Sequence, residues 1–122
     1  MRRFIFGALA LLVFAGCETE NRMTGDEIAA FLEGNTISHS LGAADYYDGR
    51  GNLTYIANGN YGRAKYRYLS DRICFSYPSG NSDCWTYAET SNPRAKKVVR
   101  QSDKASWFVT LVGSGNRLTQ FE

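Results

Sequence analysis

The chain has one histidine, three cysteines and two prolines, and a single apolar run of any length, residues 4–14. A zinc site needs three or four His, Cys or carboxylate ligands, which one histidine and a pair of disulfide-committed cysteines cannot supply. No metal or cofactor is expected. Beyond residue 14 nothing approaches the ~20 apolar residues of a membrane-spanning helix, so the remainder is expected to be soluble. Excess positive charge is missing too. Two of the fourteen basic residues, Arg2 and Arg3, precede the apolar run, which leaves twelve against twelve acidic ones. A net charge near zero removes the global argument for nucleic-acid binding. Internal repeats and low-complexity stretches are also absent.

What is there begins with an address. Arg2 and Arg3 followed by FIFGALALLVF match the positive n-region and the ~7–15-residue h-region of a signal peptide. The run ends in Phe14-Ala15-Gly16-Cys17, which resembles the bacterial lipobox; Phe14 stands where a branched aliphatic is usual. The resemblance implies lipid attachment at Cys17 and cleavage before it, with ordinary cleavage after Ala15 as the alternative. Glu18 rather than Asp follows the cysteine, which by resemblance to lipoprotein sorting rules implies the periplasmic side of the outer membrane. Without the lipid the protein is expected to be soluble in the periplasm or secreted. Residues 1–16 are thus read as signal peptide, 17–23 as the lipidated cysteine and a polar tether, and 24–122 as one β-rich domain, a size that supports one core. With Cys17 assigned to lipid, Cys74 and Cys84 remain in an oxidising compartment, and a disulfide between them follows by elimination.

Thr24-Gly25-Asp26-Glu27 has the T-x-x-E spacing of a capping box, and Ile28, Phe31 and Leu32 give a short helix one apolar stripe before Gly34-Asn35 stops it. From Thr36 onward the signals are strands and turns. Asp48–Gly51 and Asn58-Gly59-Asn60 supply the φ > 0 residues of hairpins, and further breaks at 70–71, 78–83, 91–93, 102–104 and 113–115 delimit short segments through Arg117–Phe121. The fold class expected is mainly β, a small antiparallel meander or barrel-like sheet of seven to eight strands with one short N-terminal helix. Pairing of residues 72–77 with 82–87 around Ser79 sets Cys74 opposite Cys84 and Ile73 opposite Trp85.

T-G-D-E-I-x-x-x-L-x-G-N-T-I (24–37), Tyr46-Tyr47 with Gly49, and D-R-I-C-F-S-Y-P…C-W-T-Y (71–87) together resemble a family of small exported proteobacterial proteins of unassigned function. The likeness covers residues 24–88. Where that family has Gly-x-Trp before the cysteine strand, this chain has Tyr66-Arg67-Tyr68. The resemblance supports the fold and the disulfide, and implies no catalytic residue.

Candidate chemistry is sparse. His39, between Ser38 and Ser40, reads as a solvated histidine in a loop after the helix, since adjacency alone does not make a Ser-His pair. Asp45, Asp48 and Asn52 lack the D-x-D-x-D-G order of a calcium loop and read as a polar turn. Lys96-Lys97 and Arg94 read as a solvated basic turn. Arg63, Lys65 and Arg67 alternate with Ala64, Tyr66 and Tyr68, so a strand would show three cations on one face, a candidate anion-binding strip. The function expected is a non-catalytic envelope lipoprotein with a binding or interaction role. Its partners are the membrane through the lipid anchor and an envelope polymer, lipid headgroup or protein. The alternative is an inhibitor of a hydrolase such as lysozyme or a protease.

Substituting Cys17→Ser should move the protein from the membrane fraction to the soluble one. Native protein that begins at Gly16 and partitions into the aqueous phase of a detergent extraction would refute lipidation.

Overall fold

Helix α1 (Gly25–Leu32) begins where the capping box places it: Glu27 N–H donates to Thr24 Oγ1 (3.1 Å) and Thr24 N–H to Glu27 Oε1 (2.8 Å). The structure is a computed structural model that describes residues 21–122. The leader and Cys17 lie outside the described residues. Eight residues are too few for a helix to persist alone, and α1 is held at both ends. Gly25 N–H donates to Ser70 O (2.8 Å), so close to the turn that a Cβ on Gly25 would sit 1.8 Å from Leu69 O. At the other end Gly34 takes φ +75° and its N–H donates to Tyr47 O (2.7 Å). Ile28 and Leu32 are fully buried.

Eight strands follow: β1 (Asn35–Ser40), β2 (Ala43–Tyr47), β3 (Asn52–Ala57), β4 (Asn60–Tyr68), β5 (Ile73–Ser76), β6 (Ser82–Glu89), β7 (Ala95–Arg100) and β8 (Ser106–Ser114). Each pairs antiparallel with the next, and β8 returns to β1 (Ile37↔Leu111, Ser38↔Thr110), closing an up-and-down barrel. Closure removes both sheet edges. Asn58 and Gly59, both at positive φ, make the two-residue β3–β4 hairpin.

Two expected segments differ. His39, read with Ser38 and Ser40 beside it as loop, lies on strand β1 (Asn35–Ser40). Its inward side carries His39 as well as Ile37, so the apolar alternation that marks a half-buried strand is missing. Arg117–Phe121, read as a strand, is a 3₁₀ turn at Leu118–Phe121. A closed barrel offers it no edge, and its Leu118 instead covers the outward Ala44 and Ile56.

The hairpin of β5 and β6 has the expected register, with Cys74↔Cys84 and Ile73↔Trp85 as pairs. Tyr77 N–H donates to Asn81 O (2.9 Å), so Cys74 and Cys84 fall at a non-hydrogen-bonded pair, where strands approach closest. Their Cα atoms are 4.0 Å apart and the disulfide is formed. In the chain-entropy account such a small loop contributes up to about 3 kcal/mol. Phe75 packs on Trp85 at 4.5 Å between ring centroids on the other side of the pleat.

The turns β1–β2, β3–β4, β5–β6 and β7–β8 gather at one end of the barrel, and the remaining turns with α1 at the other. Core residues Ile37, Tyr47, Leu53, Tyr66, Phe75, Tyr87, Val98 and Val109 point inward, and α1 adds Ile28 and Leu32 to the same cluster. Lys96, expected in a solvated turn, also lies inside at 5% exposure, because β7 has the parity that turns it inward with Val98. Its Nζ reaches Glu89 Oε1 (2.5 Å) and Pro93 O (3.0 Å), 5.0 Å from the Phe31 ring centre.

Gly25→Ala should lower the urea unfolding free energy by about 1–3 kcal/mol, since backbone rather than a flexible side chain blocks the new methyl. An unchanged midpoint would mean that α1 does not rest on the β4–β5 turn.

Candidate functional site

Strand parity decides what each end of the barrel contains. Residues 37 and 39 of β1, 45 and 47 of β2, 85 and 87 of β6, and 107 and 109 of β8 all face inward. Ile37, Tyr47, Tyr87 and Val109 fall in the middle, and His39, Asp45, Trp85 and Trp107 fall toward the end without the helix. There they line an open cavity of about 400 Å³ together with Tyr55, Tyr77 and Arg100. That volume lies within the ~300–1,000 Å³ of small-molecule sites. Tyr55 can lie across the wall because Gly62 opposite has no side chain: a Cβ there would be 2.2 Å from the ring.

At the cavity floor Asp45 Oδ2 accepts from Tyr47 OH (2.8 Å) and stands 2.6 Å from His39 Nε2. Trp107 Nε1–H donates to His39 Nδ1 (2.9 Å). An indole N–H can only donate, so Nδ1 is bare and Nε2 carries the proton given to Asp45. The imidazole in this arrangement is neutral, and both of its nitrogens are engaged. His39 and Asp45 side chains are 14% and 8% exposed. Burial works to lower the proton affinity of His39, but the charge of Asp45 and the hydrogen bond to it outweigh that and hold the imidazole above its ordinary value. Burial first, then the same carboxylate, push the Tyr47 phenol well up, so it remains a donor.

Asp45 Oδ1 accepts nothing from any described residue, and Asp45 lines the cavity. The ion-pair partner of Asp45 among the described residues is His39 alone. Arg100, which shares the cavity, is tied at the rim to Asp103 by Nε and Nη2 (both 3.0 Å), its guanidinium 5.4 Å from the Trp107 ring centre. Trp85 and Trp107 meet edge to face at 5.2 Å. Trp85 Nε1 and Tyr87 OH are buried with no partner among the described residues.

Arg63, Lys65 and Arg67 are exposed on the outer wall, as the alternation of β4 requires, with Ala64 and Tyr66 buried between them. Among the described residues none of the three makes an ion pair. Arg63 and Lys65 line a shallow cleft of about 600 Å³ with Asn52, Ser76 and Pro78. The cleft exists because the β4–β5 ladder stops at Lys65↔Ser76. The next hydrogen-bonded pair would join Arg63 to Pro78, and proline has no N–H. Asp48 and Asn52 make the expected polar turn, Asp48 Oδ1 accepting the N–H of Arg50 (2.7 Å) and Asn52 (3.0 Å), while Asp45 points into the barrel.

The cationic strip and the disulfide are legible in the sequence, and the mouth is not. His39 is not a solvated loop residue; it sits on a strand, enclosed between Asp45 and two tryptophans. The available signal was the pattern Ile37-x-His39 and Asp45-x-Tyr47, whose shared parity across one hairpin turns all four side chains to the same face. No protein-family model, curated protein or solved structure matches the chain.

His39 should titrate above the unperturbed imidazole value of about 6.5. Asp45→Asn should bring it below, since burial then acts alone. The folded state holds this proton more tightly than the unfolded chain. Its contribution to stability is therefore complete below the unfolded value and is lost as pH rises through the folded one. NMR titration of the His39 ring protons in both proteins measures this, and an unmoved midpoint in Asp45→Asn would contradict the pairing.

Proposed function

We propose that this protein is a non-catalytic binding lipoprotein of the cell envelope, anchored through Cys17, that receives a small ligand in the open mouth of its barrel. The observation that carries the reading is the asymmetry of the barrel: α1 fills one end, and an aromatic-walled cavity with a buried carboxylate occupies the other. A non-catalytic role is supported by His39, whose two nitrogens are both spoken for, so that no ring nitrogen is free to take a proton from a nucleophile. The resemblance of residues 24–88 to small exported proteins supports the address.

Anchoring at Cys17 would also orient the barrel. Glu89 N–H donates to Asn21 O (2.8 Å) at the helix end of β6, and the chain from Cys17 to Asn21 spans at most about 14 Å. The plugged end would then face the membrane and the mouth the periplasm. Arg63, Lys65 and Arg67 would lie on the side wall, available to an anionic headgroup or envelope polymer. The hydrolase-inhibitor reading draws on Leu41, 99% exposed at the tip of the β1–β2 turn beside the mouth.

The test is to block the mouth. Ala57 lines the cavity and is exposed, so Ala57→Trp should fill the opening without disturbing the core. Native mass spectrometry of protein released from envelopes should show a small-molecule adduct on the unaltered chain and lose it on Ala57→Trp. An adduct that survives the substitution, or no adduct on either, contradicts binding in the mouth. Inhibition of lysozyme or of a protease that disappears on Leu41→Asp would decide for the inhibitor.

A further inference from the structure

We propose that the mouth is selective for a small organic ammonium ion, a quaternary ammonium or a protonated amine, held with its charge against Asp45 and its alkyl groups against Trp85, Trp107 and Tyr55. The inference rests on the mouth being a ligand site and names the ligand's chemistry.

Three observations lead to it. The first is an uncompensated charge. Asp45 is 6% exposed, and the hydrogen bond from Trp107 requires its one ion-pair partner among the described residues, His39, to be neutral in this arrangement. A buried carboxylate without a counter-charge is costly, and the cost falls when a cation arrives. The second is a free acceptor: Oδ2 is occupied twice while Oδ1 takes no donor from the described residues, and Asp45 lines the cavity. An amine N–H could donate there, and a quaternary ammonium could approach as a charge alone. The third is the wall. Trp85, Trp107, Tyr55 and Tyr77 line the same cavity as Asp45, and ring faces attract cations, most strongly when water is excluded. One ring already does so, since the Arg100 guanidinium lies 5.4 Å from the Trp107 centre. That arginine does not serve Asp45, because Asp103 holds it at the rim. An anionic ligand would meet Asp45 with no free cation beside it among the described residues, and a neutral ligand would leave the charge unmatched.

The same chemistry occurs as a free solute and as a lipid headgroup, and vesicles separate the two. The chain carrying Cys17→Ser, so that no acyl groups accompany it, is titrated with choline above the His39 titration, with tryptophan fluorescence as the readout. The comparison is the isosteric neutral alcohol in which carbon replaces nitrogen. Choline should saturate the signal at a concentration at least about tenfold below that of the alcohol, and Asp45→Asn should bring the two together. Sedimentation with phosphatidylcholine vesicles that free choline prevents would assign the headgroup; choline binding without sedimentation would assign the free solute. Both support the proposal. Equal affinity for choline and the alcohol on the Cys17→Ser chain with Asp45 intact would overturn the charge selectivity while leaving the mouth a binding site, and it needs no variant of the mouth to fold. A saturable response to neither would overturn the proposal, and the blocked-mouth experiment then judges the site independently.

Discussion

Closure of the sheet between β1 and β8 is the constraint on which everything else depends. Once eight strands form a ring, every residue is assigned by parity to the inside or the outside, and the inside must be filled or left as cavity. Here the middle is filled by Ile37, Tyr47, Phe75, Tyr87, Val98 and Val109, and one end by α1. The other end receives polar and aromatic side chains that do not fill it. Closure also explains the C-terminal segment, which with no edge to join folds as a 3₁₀ turn over the outward face of β2 and β3.

The contents of that open end are electrostatically coupled. Asp45 draws a proton toward His39, while Trp107 requires the other nitrogen of the same ring to stay bare. Protonating Nδ1 would cost the indole its acceptor, and a neutral imidazole leaves Asp45 without a counter-charge. A ligand cation at Oδ1 satisfies Asp45 without disturbing either bond. The outer strip of Arg63, Lys65 and Arg67 follows a different logic: those cations are solvated, so their attractions are weak one at a time and screened by salt beyond roughly 8–10 Å.

The features legible in the sequence were those encoded locally. The Thr24–Glu27 capping box, the Asn58-Gly59 hairpin, the Cys74–Cys84 register and the alternation along β4 each lie within a few residues or across one tight turn. Strand β1 was not legible because His39 interrupts its apolar alternation, and a single inward Ile37 does not distinguish strand from loop. The mouth was hidden for a second reason. Its key contact, Trp107 to His39, joins residues 68 apart in sequence, and only closure of the barrel brings β8 beside β1. Lys96 was misread likewise: its charge pointed to solvent, whereas parity and the Glu89 carboxylate hold it inside.

The chemistry of the mouth turns on the protonation pattern of one ring. Nitrogen-15 chemical shifts of the His39 imidazole, recorded above its titration, report each nitrogen separately. They should show Nε2 protonated and Nδ1 bare, with the Trp107 indole proton shifted by its hydrogen bond to Nδ1. A proton on Nδ1 under those conditions, alone or with one on Nε2, would mean that Trp107 does not donate to His39. The uncompensated charge on Asp45, and with it the chemistry assigned to the mouth, would then be wrong.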